Sequence, residues 1–502
     1  MCLPRGPARL PAEESIDQPH SPPETPMHTL SASANEVTFI VQRARIAQKC
    51  FEGAQQREID LAVAAAGWRC YRDETAQELS SLAIEETELG NAVDSYQRLR
   101  KRILGTLRDL ADAVTVGLVH EDVARGVRKF AKPVGVIAGI TPATAPAAAA
   151  IVNSLSSLKT RNAIIFCPNP RAHRTVGRVV ELVRDALREV GAPVDLVQCV
   201  GVPTRSISEE LMATADLTIA SGGASTVRRA YRSGKPALGA GVGNAVVVVD
   251  DTADLDAAAS MIIAGKSFDY GTSCSSESCI LVDESVSDQL IGKLVENGAY
   301  MCSGPEMASL RRTAWPDGEL AREIVGKSAK QIADRACIEV PQKTRVLLTL
   351  PETTHAEPLG GEKLSPILAL WKFAQFDHAV GLVQRLVAAS GAGHSCAIHT
   401  NVRERAEILA RTINVSRVLV NQSTGMGNSG SFDNGLPFSV TLSCGTWGGG
   451  STTDNVNWRH FLNYTWLSET IPKNEPRPED LFSEYWSVYH PTASYVGQLG
   501  GM

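Results

Sequence analysis

Short apolar segments alternate with helical segments between residues 134 and 249, and this alternation constrains the fold of the chain more than any other feature. Strands are predicted at 134–138, 163–166, 196–200, 217–220 and 245–249. Helices are predicted between them at 146–159, from Thr175 onward and near 208–213. Because these strands are apolar along their whole length, both of their faces must be buried, as in a parallel sheet covered by helices on each side. The pattern therefore predicts an α/β fold.

A second alternating run follows and predicts a second parallel-sheet α/β domain. Its strands are predicted at 280–282, 346–350, 367–370 and 418–420. In front of both runs, residues 36–66 and 75–87 carry apolar side chains at helical spacing, and residues 117–131 are predicted to form a hairpin. A chain of 502 residues has the length of two or three domains.

Composition excludes several classes of function. The net charge of −6 leaves no basic surface for nucleic acid, so no nucleic-acid partner is expected. No apolar run approaches the length of a membrane-spanning helix, so no membrane partner is expected either. The 11 cysteines are scattered and form no Cys-x-x-Cys pair, which argues against a metal site and fits a reducing cytoplasm.

One of these cysteines, Cys274, lies in a run of small and hydroxylated residues, 272–276, directly before an apolar strand. Small neighbours leave the sulfur accessible, while serine and threonine supply hydrogen-bond donors around it. Such a polar and partly open environment favours a nucleophilic thiolate. The alternative is a buried structural cysteine, and these residues alone do not separate the two.

Loops at the carboxyl ends of the first strands predict a ligand site, because parallel sheets bind ligands at that edge. Thr141, Pro142 and Thr144 follow one strand, and the pair Gly222–Gly223 follows another and opens a helix. Backbone N–H groups at such a glycine pair can approach a phosphate closely. A simple tight turn is the alternative interpretation of the two glycines.

Five further segments, taken in order, resemble the CoA-acylating branch of the aldehyde dehydrogenase superfamily. They are residues 132–142, 158–172, 233–244, 362–366 and 438–447. The run 272–277 is most similar to that of the acylating sulfoacetaldehyde dehydrogenases, and residues 434–439 favour the same group. Residues 463–466 favour it less, because they carry aromatic side chains where such relatives often have a basic residue.

The resemblance also has an informative difference at Ala240. Hydrolytic aldehyde dehydrogenases have a glutamate at this place in the glycine-rich loop, and that glutamate activates water. Without a base, a thioester on the enzyme hydrolyses slowly, whereas the CoA thiol loses its proton easily. The sequence therefore predicts transfer of the acyl group to CoA. The alternatives are a hydrolytic enzyme that gives the free acid, a CoA-acylating enzyme for acetaldehyde or another aldehyde, an acyl-phosphate reductase and a non-catalytic relative.

The resemblance implies a role for each candidate residue. Cys274 is the expected nucleophile, and Thr144 lies in the loop expected to supply an oxyanion donor. The expected cofactor-binding residues are Thr141, Pro142, Gly222, Gly223, Gly241, Glu362 and Leu364. The implied cofactor is NAD or NADP, with coenzyme A as co-substrate, a small aldehyde such as sulfoacetaldehyde as substrate, and no metal. For His394, an acid/base role and a packing or capping role are the two alternatives, and it is left out of the catalytic set. Glu277 is a candidate for orienting the loop, without a direct chemical role.

The same resemblance implies an aldehyde dehydrogenase-like organisation in four parts. Residues 1–26 hold seven prolines and are predicted to be a disordered leader. Residues 27–245 are expected to form the dinucleotide-binding domain, interrupted by an oligomerisation hairpin at 117–131, and residues 246–445 the catalytic domain. The aromatic tail, 446–502, is expected to be an oligomerisation arm of a cytoplasmic homodimer or homotetramer.

Overall fold

The computed structural model describes residues 32–352 and 358–489, so the predicted leader lies outside the described residues. Among the residues described, no helix is long and apolar enough to cross a lipid bilayer. The same residues contain no group of three or more His, Cys, Asp or Glu side chains arranged to hold a metal ion.

Four helices precede the first sheet, namely α1 (Ala32–Phe51), α2 (Gln56–Tyr71), α3 (Asp73–Thr87) and α4 (Ala92–Ala111). The pattern at 36–66 is therefore two helices, because Gln55 and Glu58 form a capping box that begins α2 afresh. Helix α3 confirms the prediction at 75–87. Strands β1 (Gly117–Asp122) and β2 (Val127–Pro133) then pair antiparallel and confirm the predicted hairpin.

The first parallel sheet has five strands in the order β5-β4-β3-β6-β7. These strands are β3 (Val136–Thr141), β4 (Ala163–Pro168), β5 (Val197–Cys199), β6 (Leu217–Ala220) and β7 (Ala237–Gly239). The helices that cover them are α5 (Pro146–Lys159), α6 (His173–Glu189), α7 (Arg205–Thr214) and α8 (Ala224–Arg232). The strand order reverses at β3, which lies between β4 and β6, so a crevice for ligands is expected at the carboxyl end of β3.

The second parallel sheet has seven strands in the order β10-β11-β12-β9-β8-β13-β14. They are β8 (Ala245–Val249), β9 (Glu277–Asp283), β10 (Ala299–Met301), β11 (Val346–Thr349), β12 (Ile367–Phe373), β13 (Cys396–His399) and β14 (Val418–Val420). The grouping of 245–249 with the first set of strands is wrong, because β8 pairs with β9 and β13. An apolar strand buried on both faces has the same pattern in either sheet, so sequence could not assign it.

Helices cover both faces of the second sheet. They are α9 (Leu255–Ser267), α10 (Ser287–Glu296), α11 (Gly304–Ala314), α12 (Ala329–Arg335), α13 (Phe376–Ala389), α14 (Arg403–Thr412) and the short α15 (Thr424–Gly427). Alternate residues of β8 enter two separate hydrophobic cores, with Val246 and Val248 on one face and Val247 and Val249 on the other. The sheet is thus covered on both faces, as its apolar strands require.

The chain then returns to the first domain. Strand β15 (Leu462–Ser468) pairs antiparallel with β2 and completes a three-stranded sheet in the order β1-β2-β15. Phe461, directly before β15, is buried in the core of the first domain. Helix α16 (Pro478–Tyr489) follows and has no buried residue.

Candidate active site

Cys274 lies in the short loop that leads into β9. Asp269, Tyr270 and Gly271 precede this loop with φ angles of 49°, 53° and 68°. The N–H of Ser276 donates to the carbonyl of Ser273 at 3.0 Å and closes a tight turn around the cysteine. Left-handed conformations of residues other than glycine cost roughly 1–3 kcal/mol each, so surrounding contacts must hold this turn in place.

Asp269 supplies those contacts and ties the turn to the start of α4. Its carboxylate accepts from the N–H of Asn91 at 2.9 Å and from the hydroxyl of Thr272 at 2.9 Å. The same carboxylate forms a partly buried ion pair with Arg98. Its own N–H donates to Asp94 Oδ2 at 2.7 Å. The turn that carries the cysteine is therefore held by α4.

His394 lies directly beside the sulfur. Its Nε2 atom is 3.3 Å from Cys274 Sγ, and its Nδ1 atom is 2.9 Å from Ser395 Oγ. Asn428 donates to that Ser395 hydroxyl at 3.0 Å, and Arg417 donates to the His394 carbonyl at 3.0 Å. These contacts hold a fully buried imidazole ring with Nε2 directed at the cysteine. This geometry favours the acid/base alternative for His394 over packing or capping.

The electrostatics of the two side chains keep both of them neutral at rest. Burial and the charges of Glu362 and Cys444 raise the pKa of Cys274 to about 12. Burial, together with the charge of Arg417, lowers the pKa of His394 to about 3. At neutral pH a protonated thiol therefore faces a ring nitrogen that is free to accept a proton.

The glycine-rich segment 240–244 crosses from β7 to β8 and packs against Cys274 and Cys444. A Cβ atom on Gly243 would be 1.9 Å from the carbonyl oxygen of Cys274, and one on Gly241 would be 2.7 Å from Cys444 Sγ. Neither position has room for a side chain, so glycine is required for this close approach. Ala240 is buried and brings no carboxylate to the segment.

Glu362 reaches the same glycine segment from the second domain. Its Oε1 atom accepts from the N–H of Gly243 at 2.9 Å. Burial raises the pKa of this half-buried carboxyl to about 7, although the Gly243 N–H and the charges of Lys266 and Lys363 act in the opposite direction. The Glu362 carboxyl thus lies next to Gly243, the residue that packs on Cys274. The role of Glu362 as a ribose ligand stays a prediction.

The predicted cofactor residues of the first domain meet at the carboxyl edge of its sheet. Thr141 and Pro142 end β3, and Gly222 and Gly223 follow β6, the neighbouring strand. Gly223 is the N-cap of α8, and a Cβ atom there would have no neighbour within 4 Å. Thr141 Oγ1 is buried and has no hydrogen-bond partner among the described residues. An open helix N-terminus beside an unpaired hydroxyl fits the pyrophosphate of a dinucleotide.

A cavity of about 470 Å³ opens beside this edge. Its wall combines apolar, aromatic and arginine side chains with glycine backbone, contributed by Val227, Arg228, Tyr231, Arg232, Gly241, Val242, Trp447 and Gly448, among others. The aromatic rings suit an adenine base, and the two arginines suit phosphate groups. NAD, NADP and CoA all contain both parts, so the residues present fit the expected cofactor and co-substrate.

Two further predicted site residues lie in loops between the elements. Thr144 is half-buried in the loop between β3 and α5. Leu364 has a φ angle of 43°, and its carbonyl accepts from the N–H of Gly326 at 2.9 Å. Their roles as oxyanion donor and cofactor contact stay predictions.

Comparison with known proteins agrees with this geometry. An acylating sulfoacetaldehyde dehydrogenase of Bilophila wadsworthia is 40% identical over 459 residues, which cover 89% of this chain and 98% of that protein. An acetylating succinate-semialdehyde dehydrogenase of Clostridium kluyveri is 36% identical over 434 residues, with coverage of 86% and 95%. The crystal structure of an acetylating aldehyde dehydrogenase from Geobacillus thermoglucosidasius superposes with a TM-score of 0.86 at 34% identity, with coverage of 89% and 98%.

The predicted aldehyde dehydrogenase-like α/β fold is thus confirmed by a solved structure that covers most of the chain. Residues 17–435 also match the model of the family described as "Aldehyde dehydrogenase family". This match spans more than half of the sequence, and it includes Cys274, His394 and Glu362. The chain therefore belongs to the aldehyde dehydrogenase family.

Proposed function

We propose that this chain oxidises a small anionic aldehyde, sulfoacetaldehyde, to its acyl-CoA thioester with reduction of NAD or NADP. The observation that carries the proposal is the pairing of Cys274 with His394 beside a glycine segment that has no carboxylate at Ala240. The names of the relatives support it, because they describe acylating and acetylating enzymes. Both names also specify aldehydes that carry an anionic group.

In the first half of the reaction, the Cys274 sulfur bonds to the aldehyde carbon and the thiol proton passes to His394 Nε2. Nε2 and the sulfur are 3.3 Å apart at rest, so the imidazolium forms close to the thiohemiacetal oxyanion, and their attraction offsets part of the cost of burying both charges. The Cys274 N–H and a donor of the Thr144 loop are proposed to hold the oxyanion. A bound nicotinamide would accept the hydride. Loss of that hydride leaves a thioester on Cys274.

In the second half, His394 first releases its proton to solvent and becomes neutral again. It can then take the proton of the CoA thiol while the CoA sulfur attacks the thioester carbon. The Cys274 sulfur leaves and recovers a proton from His394. One thioester replaces another, so the transfer is reversible.

The alternative, hydrolysis to the free acid, needs a base that activates water. Ala240 supplies none, and Glu362 already accepts a hydrogen bond from Gly243 at 2.9 Å. His394, whose pKa is lowered to about 3, is a weak base that can assist a thiol but activates water poorly. We propose that Glu362 instead fixes the ribose of the nicotinamide in a reactive position. CoA needs no such carboxylate, because its thiol loses a proton far more easily than water does.

The time course of nicotinamide reduction with sulfoacetaldehyde, recorded with and without CoA, tests this proposal. With CoA, turnover is expected to continue and to produce an acyl-CoA. Without CoA, about one equivalent per active site is expected before the reaction stalls, because the thioester has no acceptor. Sustained formation of free acid without CoA, at the rate measured with CoA, would establish the hydrolytic alternative.

Two variants complete the test. Cys274→Ala is expected to abolish the initial burst while dinucleotide binding stays close to normal, because the sulfur bonds to the aldehyde and does not hold the cofactor. Ala240→Glu is expected to raise the slow hydrolysis of the stalled thioester. A burst that survives in Cys274→Ala would show that another group is the nucleophile.

We also propose a closed homo-oligomer, a dimer or a tetramer, assembled through the hairpin and the tail. Strands β1 and β15 are the two edges of the three-stranded sheet, and Leu118 and Trp466 on these strands are exposed. Unpaired strand edges with apolar side chains favour pairing with another chain. All ten cysteines of the described residues are free, which supports the proposed location in a reducing cytoplasm.

A further inference from the structure

Helix α4 directs basic side chains toward α15 and the loop that follows it. Lys101 donates to the carbonyl of Met426 at 3.2 Å and to the hydroxyl of Ser431 at 3.2 Å. Arg102 donates to the carbonyl and the hydroxyl of Ser429, and to the carbonyl of Gly430 at 3.3 Å. The two cations therefore lie on the side of α4 that faces the catalytic domain.

Arg102 differs from the other arginines of this helix in having no carboxylate partner. Arg98 pairs with Asp269, Arg100 with Asp73 and Arg108 with Asp109. Arg102 forms no ion pair with any described residue, although it is only 9% exposed. A buried charge that meets only neutral oxygen atoms is costly and calls for a counter-ion.

The position of Arg102 connects it to the reactive cysteine through a single loop. Asn428, the residue before its partner Ser429, donates to the hydroxyls of Ser275 and Ser395 at 3.0 Å each. These serines directly follow Cys274 and His394 in the sequence. Burial and the charge of Arg98 lower the pKa of Arg102 to about 10, and a negative charge on Cys274 would act in the opposite direction.

An aromatic ring lies on the other side of the guanidinium group. The Cζ atom of Arg102 is 5.8 Å from the centre of the Phe438 ring. That ring also packs tightly on α4, since a Cβ atom on Gly105 would be 2.4 Å from it. Arg102 is thus held between an apolar ring and the Ser429 loop, and no carboxylate among the described residues balances its charge.

We propose that Arg102 binds the anionic group of the aldehyde and so determines the preference of the enzyme for anionic over neutral aldehydes. The inference rests on the proposed function, because it concerns the same reaction at Cys274. An arginine can form two parallel hydrogen bonds with a sulfonate or a carboxylate. The substrate anion would also supply the counter-ion that the buried cation lacks.

The test compares kcat/KM for sulfoacetaldehyde and for propionaldehyde, a neutral aldehyde of similar size. Arg102→Gln is expected to lower the value for sulfoacetaldehyde by about 10- to 100-fold, the loss that follows removal of a charged hydrogen bond. Propionaldehyde should be oxidised at close to the wild-type rate, which also shows that the variant is folded. Arg102→Lys should have a kcat/KM for sulfoacetaldehyde between those of the wild type and Arg102→Gln. Arg100→Gln, the same change on another side of the helix, should leave both values unchanged.

Protection of Cys274 from alkylation gives a second measurement that needs no turnover. Ethanesulfonate is expected to slow the reaction of iodoacetamide with Cys274 in the wild type but not in Arg102→Gln. An equal loss of activity on both aldehydes, or protection that persists in the variant, would overturn the proposal. A wild type without CoA-dependent turnover would contradict the proposed function, and the protection measurement would still report on Arg102.

Discussion

A protonated thiol beside a neutral imidazole requires the proton to move during the attack rather than before it. The same burial that raises the pKa of Cys274 lowers that of His394, so a preformed thiolate–imidazolium pair is disfavoured at rest. Such a cysteine resists alkylation and oxidation until a substrate arrives. The resting site is therefore protected from chemistry other than its own.

The alkylation rate of Cys274 should show this directly. Because thiolate is the reactive form and the pKa is about 12, the rate with iodoacetamide should rise about tenfold per pH unit from pH 7 to pH 10. A cysteine with its ordinary pKa of 9.0 would level off within this range. A rate that is already maximal at pH 7 would instead indicate a preformed ion pair with His394.

Replacement of Glu362 by Gln should have two opposite effects. Its charge contributes to the raised pKa of Cys274, so Glu362→Gln should increase the alkylation rate above pH 7, where this carboxyl is ionised. The amide can still accept from Gly243, but it binds a ribose less well, so single-turnover hydride transfer should slow. An unchanged hydride rate would assign Glu362 to a structural role.

The two reactive residues differed in how visible they were in the sequence. Cys274 was predicted because its small, hydroxylated neighbours are adjacent to it in the chain. His394 lies 120 positions away, and only the pairing of β9 with β8 and of β8 with β13 brings it to the sulfur. Its own neighbours, Gly391 and Gly393, indicate a tight loop but no chemistry. Because the contact between His394 and Cys274 forms only in the folded chain, the sequence around His394 has no pattern that reveals it.

At the scale of elements, two segments position the cysteine. The left-handed turn 269–271 is held from α4, and the segment 240–244 packs against the carbonyl of Cys274. The turn 269–271 is held from α4, which belongs to the first domain. The segment 240–244 joins the two sheets. The position of the sulfur therefore depends on contacts from both domains.

Gly243→Ala adds only a methyl group, yet it should abolish activity. The added Cβ would lie 1.9 Å from the backbone oxygen of Cys274, so the catalytic loop or the segment must move. Gly177→Ala is the matched control, because a Cβ in that position of α6 meets nothing within 4 Å. It should leave activity unchanged and raise stability by roughly 0.5–1 kcal/mol. Normal turnover in Gly243→Ala would contradict this account of the loop.

Elements were predictable where one physical signal dominated. The uniformly apolar strands β3, β4 and β6 and the alanine-rich α5 were identified within a few residues. Helix α4 was not predicted, since five basic residues interrupt its apolar positions. Only the structure shows the contacts of these basic residues: Arg98 holds Asp269, and Arg102 faces the Ser429 loop.

At the scale of the whole molecule, light scattering should find a dimer or tetramer at micromolar concentration. A chain that lacks residues 462–502 loses β15, so the edge of β2 that pairs with it is uncovered and the assembly is expected to dissociate. A chain that lacks only residues 478–502 keeps the three-stranded sheet and serves as the control. A stable monomer of the full chain would contradict the proposed assembly.

The return of the chain to its first domain has a consequence for biosynthesis. Val456 and Phe461 belong to the core that begins with α1, and β15 pairs with β2 more than 300 residues earlier. The amino-terminal domain therefore cannot complete its core on the ribosome until nearly the whole chain has emerged. The second sheet, whose strands all lie between residues 245 and 420, can close first. A nascent chain that stalls before residue 456 would thus expose unfinished apolar surface to chaperones and proteases.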